Sequence, residues 1–235
     1  MDPGNVFNGF SDKSIKFLSD LRENNNKSWF QSHKNEYEKY LLEPAQLFII
    51  AMGNMLQSLA PNVIFDPRID RTLFRIYRDI RFSKDKTPFK THIAMFFWEG
   101  EGKKLENSGF YFHLQPEKLL LAVGIHVFPP ELLKKYRDAV IDEKHGQKLV
   151  RAVETVKSKD KFIISGAHYK RVPRGYPQEH PRAEYLLYNG MGAMFETPIP
   201  KELFSTDLIN YCYQVFQDMS PLHHWLVEMN KKFET

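Results

Sequence analysis

Between Asp66 and His92 the chain carries eight basic residues (Arg68, Arg71, Arg75, Arg78, Arg81, Lys84, Lys86, Lys90) against four acidic ones (Asp66, Asp70, Asp79, Asp85). Guanidinium groups grip phosphate or carboxylate through paired donors, and Ser83 with a turn over Lys84 to Pro88 would add backbone amides to such a cradle. The reading that follows is an anion site built from Arg75, Arg78, Arg81, Lys86 and Lys90, joined by Lys170 and Arg174, with an anionic, phosphorylated small molecule as the ligand class. A structural reading competes on equal terms: Arg75, Arg78, Asp79 and Arg81 form an internal ion-pair network that anchors the segment to a sheet. In a third, less favoured reading the same string, with the loop bearing Lys170, Arg171 and Arg174, tracks a nucleic-acid backbone while Phe89 and Tyr176 stack on bases.

A second group lies on a hairpin. The run from Ser108 to Val127 reads as two strands joined at Pro116 and Glu117. In that register Phe110, Phe112 and Leu114 face a core, while Tyr111 and His113 lie on the other face beside Ala122 and Gly124. Small residues opposite polar aromatics make either a pocket or a place of close backbone approach, and close approach is the commoner use of a strand glycine. If it is a pocket, Asp79, Tyr111 and His113 contact the rest of the ligand, with His113 as acid, base or donor.

Other patterns lead nowhere. Gly100 to Lys104 lacks the spacing and context of a phosphate-binding loop and reads as a solvated turn. His223 and His224 are adjacent, so on a helix they do not share a face and make poor joint metal ligands. There is no nucleophile elbow and no paired cysteine, and no metal or cofactor is implied.

The elements that must position these residues follow from periodicity. Ser11 caps a helix carrying Ile15, Leu18 and Leu21, and Asn24 to Asn26 close it and open a second with Trp29, Phe30, Tyr37 and Leu41. Pro44 suits the first turn of a third helix through Phe48, Met52, Met55 and Leu59. Strands are expected over Thr72 to Tyr77, Thr91 to Trp98, Ser108 to Gln115 and Leu119 to Val127, the second apolar on both alternating sets and hence covered on both faces. Pro129 and Pro130 open a helix through Val140, and a further helix carries Leu149, Val153 and Val156. Then come a short strand at Lys161 to Ile164, a breaker-rich loop from His168 to Pro181, and helices through Leu208 to Phe216 and Leu222 to Met229. Helices, then a mainly antiparallel sheet, then helices again predict an α+β fold in a single domain over 1–235.

The string Arg75-Ile76-Tyr77-Arg78-Asp79-Ile80-Arg81-Phe82-Ser83-Lys84-Asp85-Lys86-Thr87-Pro88-Phe89-Lys90, preceded by Asn24-Asn25 and Trp29-Phe30, resembles the signature of a widespread family of conserved hypothetical proteins catalogued as a domain of unknown function. Lys170 to Tyr176, with His180-Pro181, is a second match, and the resemblance runs from the first helix to about Leu187. The family usually has Tyr where this chain has Phe89, which removes a hydroxyl. The resemblance implies homology and no activity, substrate or cofactor.

Composition bounds the rest. With 235 residues and a hydrophobic fraction of 42% the chain can bury one sizeable core, rich in Phe and Tyr at 14% aromatic. A net charge of +4 is too small to imply nucleic acid by itself. No apolar run reaches the length of a spanning helix and Met1 to Phe10 lacks a signal-like pattern, so neither membrane nor secretion is expected. The single cysteine, Cys212, reads as packed and unreactive, which fits a reducing, cytoplasmic location.

Overall fold

The computed structural model describes residues 6–232. Helix α1 (Asp12–Glu23) begins where Ser11 N–H donates to Ser14 Oγ at 3.0 Å, and it buries Phe17, Leu18 and Leu21. Helix α2 (Lys27–Ser32) opens on Asn26, whose Oδ1 accepts from Trp29 N–H at 3.0 Å. Pro44 stands in the first turn of α4 (Glu43–Leu56), as expected, but no break precedes it: α3 (Lys34–Tyr37) passes through a π-helical turn, Glu38–Leu42, into α4. Pro44 has no N–H to give the Tyr40 carbonyl one turn back, and the Ser14 hydroxyl donates to that carbonyl instead, at 2.5 Å. A helix from elsewhere in the chain thus satisfies the acceptor that proline leaves open.

The sheet has six antiparallel strands in the order β1 (Val63–Ile64), β2 (Ile93–Glu99), β3 (Ser108–Gln115), β4 (Lys118–Ile125), β6 (Tyr188–Pro198) and β5 (Ile163–Ala167). With helices before and after it the fold is α+β, as the periodicity predicts. All seven residues of β2 are buried, as the apolar character of both its faces requires. The hairpin also forms where expected, with Phe110, Phe112 and Leu114 buried and Tyr111, His113 and Gln115 half-buried.

Three expectations change. Residues 72–77 are not a regular strand: Phe74 N–H donates to Ala94 O at 3.0 Å and Phe96 N–H to Thr72 O at 2.9 Å, but Tyr77 then bridges Phe89 instead. Sharing itself between two partners, the segment never builds a ladder. Strand β5 is displaced toward the C-terminus from Lys161 to Ile164, and its partner β6 falls in a stretch to which the sequence pattern assigns no element. The two C-terminal helical runs are one helix, α7 (Asp207–Lys232), that continues through Pro221. Ser220 Oγ donates to the Gln217 carbonyl at 2.8 Å, the acceptor that Pro221 cannot reach, so the Pro44 solution recurs here within one helix.

Of the described residues, 6–97, 111–121 and 196–214 form one compact unit, and 98–110, 122–195 and 215–232 another. Strands β2, β3, β4 and β6 and helix α7 have residues in both. Within the first, Phe112 packs on Phe48 at 4.7 Å and Phe10 at 6.1 Å. Within the second, α5 (Pro130–Ile141) and α6 (Glu143–Lys157) pack together, and Phe110 meets Phe216 edge-on at 5.4 Å. Cys212 is fully buried, and burial pushes its thiol well above the usual range. Among the described residues no helix is long and apolar enough to cross a membrane.

Candidate functional site

The basic string folds back on itself and is fastened at its base by a side chain from the helical region. Asn25 Nδ2 donates to Phe89 O at 2.9 Å, and Phe89 N–H donates to Asn25 Oδ1 at 3.0 Å, so one amide reads both backbone groups of one residue. Arg78 N–H to Pro88 O and Lys90 N–H to Ile76 O, at 2.9 and 2.8 Å, close the loop above it. Phe89 stacks on Phe30 with ring centroids 4.2 Å apart and is 2% exposed. It is therefore core, and the expected base-stacking role fails for it. The aromatics that the string does expose are Tyr77, at 50%, and Phe82, at 95%, the latter with the Arg81 guanidinium 5.9 Å from its ring. Replacing Asn25 by alanine removes two hydrogen bonds and leaves the part-buried Phe89 amide without its acceptor. The expected loss is about 1 to 3 kcal/mol in denaturant unfolding, with faster hydrogen exchange at Phe89 N–H.

Most cations of the string are already engaged. Arg78 pairs with Asp85 and Thr87. Arg81 grips Asp79 side-on, Nε to Oδ1 at 3.0 Å and Nη2 to Oδ2 at 2.7 Å, and Lys86 Nζ donates to Ile80 O at 2.9 Å. The Arg81 hydrogen bonds hold Asp79 down at about 2, and the Thr87 amide, with Arg78, does the same for Asp85. Arg81 is 76% exposed, so the network exists as a surface feature within the loop and salt screens it. Arg75 differs: its guanidinium has no hydrogen-bond or ion-pair partner among the described residues, yet it lies close enough to lower both Asp79 and Lys90. Lys90 donates to Arg75 O at 2.9 Å and sits 5.6 Å over the Phe74 ring, with burial first and Arg75 second pushing its pKa down.

The same segment covers the polar face of β3. Phe74 meets Tyr111 edge-on at 6.3 Å, and His92 stacks on His113 at 4.1 Å. Burial raises Tyr111 to about 12, so its hydroxyl stays protonated and donates to His113 Nδ1 at 3.0 Å; Nε2–H then serves Gln115 Oε1 at 3.3 Å. Burial lowers His113 as well. Burial, with His113 and Lys90 behind it, takes His92 down to about 4. Lys90, His92, Tyr111 and His113 thus form a half-buried cluster of one cation, a tyrosine and two neutral imidazoles, with the exposed Arg75 beside Lys90 as a second cation. Nothing in the sequence pattern marks His92, because its role depends on stacking against a strand that follows it by a loop.

Lys170, Arg171 and Arg174 are exposed on the loop of the second unit, without hydrogen-bond or ion-pair partners among the described residues. Tyr176 is tied down: its hydroxyl donates to Asp138 Oδ1 at 2.8 Å. The sequence gives no sign of two further features of this unit. Arg137, on α5, holds its guanidinium 4.9 Å from the Tyr169 ring, with Nε and Nη2 buried and unbonded. His223 is wholly buried: the Ser108 hydroxyl donates to Nδ1 at 3.0 Å and Nε2–H to Glu99 Oε2 at 3.2 Å, while burial keeps the ring neutral. A hollow of about 240 Å³ lined by Glu99, Asn107, Ser108 and Leu226 opens beside this chain of bonds.

A family described as conserved hypothetical protein (DUF2461) matches residues 13–225, so the similarity extends past Leu187 through most of α7. No curated protein matches the chain.

Proposed function

The chain belongs to the DUF2461 family of conserved hypothetical proteins, and from that starting point we propose that Arg75 and Lys90, with His92, Tyr111 and His113, bind an anionic small molecule, of which a phosphorylated one fits best. The observation that carries this reading is Arg75: alone in a string whose other arginines at 78 and 81 hold partners, it keeps all its donors while standing beside a second cation. Two like charges held together are unfavourable until an anion arrives. Arg78, Arg81 and Lys86 then shape the loop rather than the ligand, and Lys170 and Arg174 belong to the loop of the other unit. The lone buried Cys212 goes with a reducing, cytoplasmic setting for such a ligand.

The sign of the pH dependence tests it. His92 has a folded value of about 4 against an ordinary 6.5, so as pH falls between those values the unfolded chain takes up a proton that the folded chain refuses, and stability declines. A bound dianion reverses the field at the ring. Adding inorganic phosphate or a nucleoside monophosphate is expected to raise the His92 value, read by NMR, and Arg75→Met is expected to abolish the rise while leaving the melting temperature near that of the parent. An unchanged His92 titration at saturating phosphate would defeat the reading.

A second reading rests on Phe82. An aromatic 95% exposed beside Arg81, Lys84 and Lys86 is suited to stacking on a base of single-stranded nucleic acid. Affinity for an oligonucleotide that falls steeply with salt and disappears in Phe82→Ala favours it; oligonucleotide binding indifferent to both discards it.

A further inference from the structure

Of the described arginines, Arg137 has the arrangement hardest to explain without a ligand. Its Nε and Nη2 are both buried and have no hydrogen-bond partner. These two nitrogens form one edge of the guanidinium, the edge that grips an oxyanion side-on. Elsewhere the chain uses that edge in the expected ways. In Arg81 it holds the Asp79 carboxylate, and in Arg182 it donates to the carbonyls of Val140, Ile141 and Asp142 at 2.8, 3.2 and 3.2 Å. In Arg137 it holds nothing, although a buried charged donor left unpaired is strongly unfavourable.

The neighbours make the case specific. Asp138, next in sequence, is taken: Lys134 Nζ donates to its Oδ2 at 2.8 Å and the Tyr176 hydroxyl to its Oδ1 at 2.8 Å. The Tyr169 ring lies 4.9 Å from the guanidinium carbon and is itself 38% exposed, so the cation is capped by an aromatic face at the surface. Tyr169 and Tyr176 sit on the irregular loop that also carries Lys170, Arg171 and Arg174, three exposed cations without partners among the described residues. We propose that Arg137 anchors a second anion site, beneath the loop from His168 to Pro181, that takes a carboxylate or phosphate group side-on through Nε and Nη2. Lys170, Arg171 and Arg174 supply the attracting field, and Tyr169 closes over the bound group. This site is independent of the one at Arg75.

Thermal melting of the full chain in sodium phosphate, sodium acetate and sodium chloride at matched ionic strength tests it. Phosphate or acetate is expected to raise the melting temperature by a few degrees over chloride in the parent and in Arg75→Met, through preferential binding to the folded state. When Arg137→Met is added to Arg75→Met the gain should vanish, while stability in chloride stays equal to that of Arg75→Met or rises, since an unpaired buried charge has been removed. A gain with phosphate alone identifies a phosphoryl ligand, and a gain with acetate as well identifies a carboxylate. No gain in Arg75→Met, or a gain that survives when Arg137→Met is added to it, overturns the site. Should Arg137→Met fail to fold, the Arg137 Nε–H resonance of the parent decides: a downfield shift on adding phosphate or acetate supports the proposal, and an unmoved resonance refutes it.

Discussion

Replacing Arg182 by methionine is expected to destabilise the protein by about 3 to 5 kcal/mol, read as a lowered denaturant midpoint with an unchanged slope. Arg182 is 7% exposed, and its Nε and Nη2 serve the carbonyls of Val140, Ile141 and Asp142, where α5 ends and α6 begins. The last carbonyls of a helix have no partner within it, so a single guanidinium does here what a C-terminal cap does elsewhere. Space for it is built in: a Cβ on Gly146 would lie 2.3 Å from Arg182 Nε. Methionine keeps much of the volume and gives back no donor, leaving several part-buried acceptors to water that reaches them poorly. The matched control is Arg81→Met, whose side chain is 76% exposed and should leave the midpoint where it was. Equal effects of the two would mean that Arg182 is not the cap of this junction.

The contrast between these arginines also shows what the sequence could convey. Charge density is legible, and the excess around Arg75 to Lys90 stands out in the composition of the segment. Which cations remain available is not, because it depends on loop closure: Arg78 and Asp85 meet across a string that folds back on itself, with Asn25 holding Phe89 at its base. Local signals worked where one residue decides the outcome, as at Asn26 before α2 or Pro116-Glu117 between β3 and β4. They failed where another side chain repairs a local fault. Pro44 and Pro221 look like helix breaks, yet the hydroxyls of Ser14 and Ser220 take the carbonyls they abandon. Strand β6 was hidden by Asn189, Gly190 and Gly192, poor strand formers whose value lies in their neighbours: a Cβ on Gly190 would stand 2.0 Å from His126 O. Arg137 and His223 carry no pattern at all, since a helix positions each of them against residues far away in the chain.

The same close approach of backbones makes Gly124→Ala the second large effect, expected at about 3 to 5 kcal/mol from strain and overpacking together. Gly124 has a φ of +131°, a conformation that side chains rarely adopt, and a Cβ there would lie 2.2 Å from Met191 O and 2.6 Å from Gly192 Cα. The neighbour is backbone within a strand, so it cannot swing aside as a side chain could; relief requires β4 and β6 to separate and stretch their ladder. A comparison with Gly102→Ala divides the two contributions. Gly102 also has positive φ, at +75°, but a Cβ there meets nothing within 4 Å, so its alanine variant should show the backbone term alone, about 1 to 2 kcal/mol. The difference between the variants in denaturant unfolding then sets an upper bound on the packing contribution, because φ of +131° strains alanine more than +75° does. If Gly124→Ala proves no worse than Gly102→Ala, the glycine is required by backbone conformation only, and β6 has room that its glycines do not use.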